Sequence, residues 1–211
     1  MIKFWTDISL MGSMAVMAPT GIAIALWLMA GKCWRLAFNW CALFGAGMAL
    51  VVLTKVAFIG WGIGVSSVEL AGFSGHAMRA AAILPVALFV LLKNREAPVR
   101  KLGVAAGVLF AILIAVARVK VHTHSASEAI TGCVLGLAVA FAFIYSAAAV
   151  REVVVSRTLV VLSLCALMFT PKVEPVPTEK WMTQLALYLS GHEQPYERGY
   201  WKVTQRRPIL R

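Results

Sequence analysis

The sequence predicts an all-α, polytopic membrane helix bundle of about six transmembrane helices, and three observations carry that reading. Of 211 residues, 61% are hydrophobic and only 14% charged, with a mean hydropathy of +0.82, outside the range of soluble globular domains. The apolar residues fall in repeated stretches of about 20, long enough to cross a bilayer as helices. Basic residues gather in alternate short connections between those stretches, as cytoplasmic loops do under the positive-inside rule.

The expected spans are Ile8 to Ala30, Leu36 to Ile59, Ala77 to Leu92, Gly103 to Ala117, Ala129 to Val150 and a shorter sixth, Thr158 to Thr170. Met1 to Asp7 carries only Lys3 as a basic residue, and the apolar stretch after it is too long for the core of a signal peptide. The first span is therefore expected to stay in the mature protein. Within the fifth, Gly132 and Gly136 stand four residues apart, a spacing that lets membrane helices approach closely. Residues 1–170 form one membrane domain on this reading, and 171–211 a polar tail.

Loop charge sets the orientation. Lys32 with Arg35, then Lys93, Arg95, Arg100 and Lys101, then Arg151 with Arg157 mark three cytoplasmic connections. Gly60 to Gly75 and Val119 to Ser127 then face the opposite side, together with the amino terminus and the tail. In the inner membrane of a Gram-negative cell that side is the periplasm. Trp5, Trp61 and Trp181 fit interfacial aromatic belts, and Arg206 and Arg207 a solvated end or a contact with anionic headgroups.

The tail opens on Pro171, Pro175 and Pro177. Glu179 to Ser190 then sets Trp181, Leu185, Tyr188 and Leu189 on one helical face, with Thr178 as N-cap and Gly191 as stop. Such a helix suits the membrane surface.

The formal charge of +11 raises the question of nucleic acid. The basic residues are scattered between apolar spans with no aromatic–basic motif, so a nucleic-acid partner is not expected. Cys33, Cys41, Cys133 and Cys165 form no CxxC pair and no metal-ligand spacing, and read as free thiols in or beside the spans. Neither a metal nor another cofactor is expected.

Ionisable residues beside membrane spans are costly, so those converging on one face are informative. Lys55 lies in the last turns of the second span, Ser74, Gly75 and His76 open the third, Arg118 closes the fourth, and His124 and Glu128 introduce the fifth. The topology brings all of them to the non-cytoplasmic side. The combination of cations, imidazoles and a carboxylate suits a phosphate. Free N–H groups and the helix dipole at Ser74–His76 favour an anion. Arg118 offers a planar fork and Lys55 a point charge, although each could instead snorkel to the interface. Glu128, four residues after His124, can fix its tautomer and sharpen its other nitrogen as a nucleophile. His76 is then placed to protonate a leaving oxygen.

Arg118-x5-His124-x3-Glu128, preceded by Ser74-Gly75-His76, resembles the type 2 phosphatidic acid phosphatase superfamily, which includes bacterial undecaprenyl-diphosphate and phosphatidylglycerophosphate phosphatases. Its patterns are KxxxxxxRP, PSGH and SRxxxxxHxxxD, and the resemblance covers roughly residues 50–136. It implies a phosphohistidine on His124, orientation of that ring by Glu128, leaving-group protonation by His76, and phosphate binding by Lys55, Ser74, Gly75 and Arg118. This chain departs from the patterns at Phe73 for proline, Ala117 for serine and Glu128 for aspartate. Gly62 and Ile63 stand where Arg-Pro follows the lysine. Arg79, one turn after His76, is a candidate replacement for the missing arginine, with Lys120 and His122 as further candidates.

The function expected on these grounds is hydrolysis of a lipid phosphate or diphosphate, such as a polyprenyl diphosphate, a phosphatidate-like lipid or lipid A, at the periplasmic face. The alternatives are transfer of the same phosphoryl group to another lipid or glycan, and a non-catalytic member that binds or moves a phospholipid. The expected partners are the phosphorylated lipid and the bilayer, with the oligomeric state left open.

Overall fold

The computed structural model describes residues 2–150, 155–169, 178–199 and 201. The chain is helical throughout: α1 (Ile2–Met11), α2 (Met14–Ala30), α3 (Trp34–Trp61), α4 (Gly75–Leu91), α5 (Ala97–Lys120), α6 (Ala126–Ala148), α7 (Arg157–Phe169) and α8 (Thr178–Ser190). Among the described residues there is no extended strand, and a 3-10 turn at Ser66–Val68 interrupts the loop before α4. Four stretches are long and apolar enough to cross a membrane: Ile2–Ala30, Trp34–Trp61, Ala97–Lys120 and Ala126–Ala148. The protein is a multi-pass membrane protein.

α4 is the axis of the bundle. Beyond His76 and Arg79 in its first turns it is apolar around its whole circumference, with Ala77, Met78, Ala80, Ala81, Ala82 and Ile83 fully buried. A helix stretch without a polar face has to be enclosed by other helices. Its 17 residues reach about 25 Å at 1.5 Å per residue. Both ends are tied to α6: Ser74 N–H bonds the Glu128 carbonyl at 3.0 Å, and the Lys93 ammonium bonds the carbonyls of Ala147 and Ala148 at 3.0 and 3.3 Å. The basic connection at 93–101 thus lies at the end of the bundle opposite Ser74 and Glu128.

The glycine spacing in the fifth span has the expected consequence. A Cβ on Gly132 would collide with the Ser74 carbonyl, and one on Gly136 with the Met78 carbonyl. The backbone of α6 lies directly on that of α4, and side chains at these two positions would drive the helices apart.

The expected first span is divided in two. Gly12 and Ser13 separate α1 from α2, and Gly12 is wedged so tightly that a Cβ would lie 2.7 Å from Ile114 Cγ2. α1 packs on α5. The other helices outlast their apolar cores: α5 begins at Ala97, where Pro98 suits the first turn, and carries Arg118 and Lys120 in its last turn.

α7 packs on α2, where the Trp27 indole N–H bonds Ser163 Oγ at 3.2 Å. The end of the sixth span at Thr170, Arg151 of the third basic loop, the tail prolines and Arg206 and Arg207 lie outside the described residues. α8 stops at Gly191, which adopts φ +68° as a left-handed helix stop. Its expected apolar face (Trp181, Leu185, Tyr188, Leu189) is exposed, while Ala186 is buried. The Ala186 carbonyl and Ser190 lie against Gly60 of α3.

Candidate active site

The loop Val121–Ser125 and the start of α6 supply the centre of the site. Ser125 caps α6 and Glu128 completes a reciprocal capping box: Ser125 Oγ accepts from Glu128 N–H at 3.3 Å, and Ser125 N–H reaches Glu128 Oε2 at 3.4 Å. The box curls the Glu128 side chain back towards the residues before the helix. His124 Nδ1 meets Glu128 Oε2 there at 2.7 Å. The other carboxylate oxygen, Oε1, accepts the N–H of Ala71 at 3.0 Å. Glu128 is 2% exposed and His124 9%, so the carboxylate is held on both oxygens inside the protein.

A carboxylate can only accept, so His124 Nδ1 is the donor and its neutral ring leaves a lone pair on Nε2. Burial pushes the His124 pKa below the ordinary value. Lys55 and Arg118 push the same way, against the opposing hydrogen bond to Glu128. The neutral, nucleophilic form is the stable one at neutral pH.

His76 is set in the complementary manner. Arg79, one turn along α4, reaches its Nδ1 with Nη2 at 3.4 Å and bonds the Gly12 carbonyl at 3.5 Å. A guanidinium can only donate, so Nδ1 accepts and the ring proton sits on Nε2. Two imidazoles with opposite partners thus present opposite faces, a bare nitrogen on His124 and an N–H on His76. His76 lies within electrostatic reach of Arg118, Arg79, His124 and Lys55.

Ser74 is fully buried. Its Oγ caps α4 by accepting from Ala77 N–H at 3.5 Å, so the hydroxyl shapes the helix start. Gly75 is buried beneath the Arg79 guanidinium, where a Cβ would stand 3.2 Å from Nη1. Arg118, from the last turn of α5, bonds Ser9 Oγ at 3.0 Å. Arg79 Nε and Arg118 Nε are buried and have no hydrogen-bond partner among the described residues. Buried donors on two cationic side chains beside two imidazoles are a ready anion-binding wall.

A cavity of about 470 Å³ opens onto the other side of His124. Lys55, Gly72, His124 and Glu128 line it from the bundle, and Glu179, Glu197 and Arg198 from the tail. Lys120 and His122 border a second cleft, which His124 also lines. The structure therefore brings Lys55, His124 and Glu128 to one cavity, whose lining does not include His76, Arg79, Arg118 or Ser74. Among the described residues no cluster of three or more His, Cys, Asp or Glu is placed to hold a metal.

Sequence reasoning missed the tail. Arg198 Nη2 bonds Glu128 Oε2 at 2.9 Å, on the oxygen that also holds His124. The signal that could have found it is the alternation Gly60-x-Gly62-x-Gly64 at the end of α3, where each glycine receives one piece of tail. Ser190 lies against Gly60, Tyr196 against Gly62 and Trp201 against Gly64.

A curated relative, an uncharacterized 22.5 kDa protein in the cps region of Klebsiella pneumoniae, is 38% identical over 135 residues, 64% of this chain and 65% of the relative. The chain thus spans just under two thirds of that relative's length. No solved structure matches. The family model of the PAP2 superfamily matches residues 61–152, a segment that holds His76, His124, Arg79, Arg118 and Glu128.

Proposed function

We propose that the protein is a membrane lipid phosphatase that transfers the phosphoryl group of a phosphorylated lipid to His124 and then to water, on the non-cytoplasmic face. The observation that carries this reading is the 2.7 Å bond between His124 Nδ1 and Glu128 Oε2. It leaves Nε2 unprotonated within electrostatic reach of Arg118 and Lys55, and Arg118 has a buried donor to spare. The match of residues 61–152 to the PAP2 superfamily supports a phosphatase-type fold and hydrolysis of a phosphoester.

In the reaction, His124 Nε2 forms a bond to phosphorus as the bond from phosphorus to the lipid oxygen breaks. The leaving oxygen accepts the hydrogen bond of the His76 Nε2–H and takes its proton from solvent water, and the lipid departs as an alcohol, or as a monophosphate if a diphosphate was bound. Arg79 and Arg118 offset the charge on the phosphoryl oxygens, and Lys55 approaches from the cavity. Glu128 accepts the hydrogen bond of the Nδ1–H of the phosphorylated, cationic ring. Water then attacks phosphorus, its proton passes to solvent, and phosphate leaves His124 free. On this reading the exposed apolar side chains of α8 rest in the outer leaflet of the inner membrane, beside the opening of the cavity.

The test is phosphate release by purified protein from undecaprenyl diphosphate, phosphatidic acid, phosphatidylglycerophosphate and lipid A. Wild-type protein is expected to act on at least one of them, and His124→Ala to lose roughly a thousandfold or more in rate. Undiminished release by His124→Ala would sink the assignment of the nucleophile.

A further inference from the structure

The tail does more than cover the cavity. Tyr196 N–H bonds the Ile59 carbonyl at 2.9 Å, His192 Nδ1 bonds the Gly60 carbonyl at 2.7 Å, and the Trp201 ring stands edge-on to Phe58 at 5.0 Å. These contacts strap residues 192–201 to the outer end of α3. Gly62 makes the strap possible: with φ +69° it would hold a Cβ 2.9 Å from the Tyr196 ring. No larger residue fits beneath that ring. Two residues beyond it, Arg198 enters the cavity wall and meets Glu128.

We infer that Arg198 is a phosphate-binding residue of this site, delivered by the carboxyl-terminal tail. It closes on the phosphoryl group from the cavity side while Arg118 and Arg79 hold it from behind. The inference rests on the phosphatase reading and adds a ligand-binding residue outside the segment that matches the superfamily.

Charge balance carries the argument. Among the described residues the cavity wall holds three carboxylates, Glu128, Glu179 and Glu197, and two cations, Lys55 and Arg198, of which Arg198 is the guanidinium. Glu128 is taken up by His124 and Arg198, and without Arg198 the excess of negative charge around Lys55 would grow from one to two. A guanidinium has five donors in a planar fork. Among the described residues Arg198 bonds Glu128 alone, through Nη2, and its side chain is 36% exposed. One edge anchors on the carboxylate that orients the nucleophile, and the remaining donors are left for an oxyanion beside His124. Arg198 thereby sets the position of the phosphoryl group relative to His124 without having to leave Glu128.

The experiment measures binding of inorganic phosphate to the full chain in detergent, by calorimetry at fixed salt, for wild type, Arg198→Ala and Arg198→Lys. Phosphate release from lipid and the pH profile of kcat are followed in parallel. The dissociation constant for phosphate is expected to rise about tenfold or more in Arg198→Ala and by less in Arg198→Lys, which keeps the charge and loses the fork. Thermal unfolding identifies the variants that remain folded, and the lysine variant decides the matter if the alanine variant does not. An unchanged dissociation constant in a folded variant overturns the inference, as does a wild-type chain that binds no phosphate. A shifted pH profile with unchanged phosphate binding also overturns it, because Arg198 would then act only through Glu128. Wild-type protein that binds phosphate through Arg198 yet releases none from any lipid overturns the hydrolase reading and leaves the binding role standing.

Discussion

The two walls around His124 are built on different principles. The rear wall comes from α4, α5 and α6; the backbones of α4 and α6 are in direct contact at Gly132 and Gly136, and the ends of these two helices are joined by hydrogen bonds. Ser74 and Arg79 are buried there, and the wall lies within the segment that the PAP2 superfamily model matches. The front wall is a strap of residues laid over Gly60, Gly62 and Gly64 at and just beyond the end of α3, with the Tyr196 ring exposed, and the strap itself lies outside that segment. On the proposed reading the difference separates two tasks: chemistry that tolerates little displacement would sit in the close-packed core, and reading of the ligand on an appended surface that can vary without disturbing His124.

Glu128 touches both walls, and its replacement should have the larger effect. Glu128→Gln keeps the shape but removes the charge that supports the His124 imidazolium, and kcat for phosphate release should fall roughly 100- to 1000-fold. Tyr196→Ala tests the front wall alone. Removing the ring from Gly62 loosens the strap, and KM should rise about three- to tenfold with kcat nearly unchanged. If Tyr196→Ala instead costs as much in kcat as Glu128→Gln, the separation of tasks is wrong.

The smallest effect concerns pH. Burial is the main reason that His124 sits below its ordinary pKa, and the positive charge of Lys55 adds to it. The neutral ring is the nucleophile, so the acid limb of kcat/KM should lie below the ordinary histidine range. Activity is lost as pH falls through that depressed value. Lys55→Gln removes one of the depressing charges, so the limb should move to higher pH; a limb that stays put or moves down contradicts the placement of Lys55 beside His124.

The rear wall was legible in the sequence because its signals are local. The four-residue step from His124 to Glu128, the same step from Gly132 to Gly136, and a serine before Gly75 each state a geometry that a helix start or a helix face enforces. The division of the first span was not legible. Gly12 and Ser13 lie inside an unbroken apolar run, and what parts them is the close approach of α5 at Ile114. Arg198 was hidden for a related reason: it meets Glu128 across 70 residues of chain, and no periodicity records such a meeting. The face of α8 was read correctly as apolar. The sequence could not say that its narrow back edge at Ala186 packs on α3, because a small residue there signals nothing until Gly60 is known to oppose it.

The Lys93 ammonium, folded onto the last carbonyls of α6 at the basic end, has a mechanical consequence. With Ser74 bonded to Glu128 at the other end, α4 and α6 are clasped twice and behave as a single beam. A long-chain molecule could not wedge them apart without breaking a clasp and the glycine seam together. On the proposed reading it reaches His124 from outside that pair of helices, where open space borders the ring on the Lys55 and Arg198 side and on the Val119–Ser127 side.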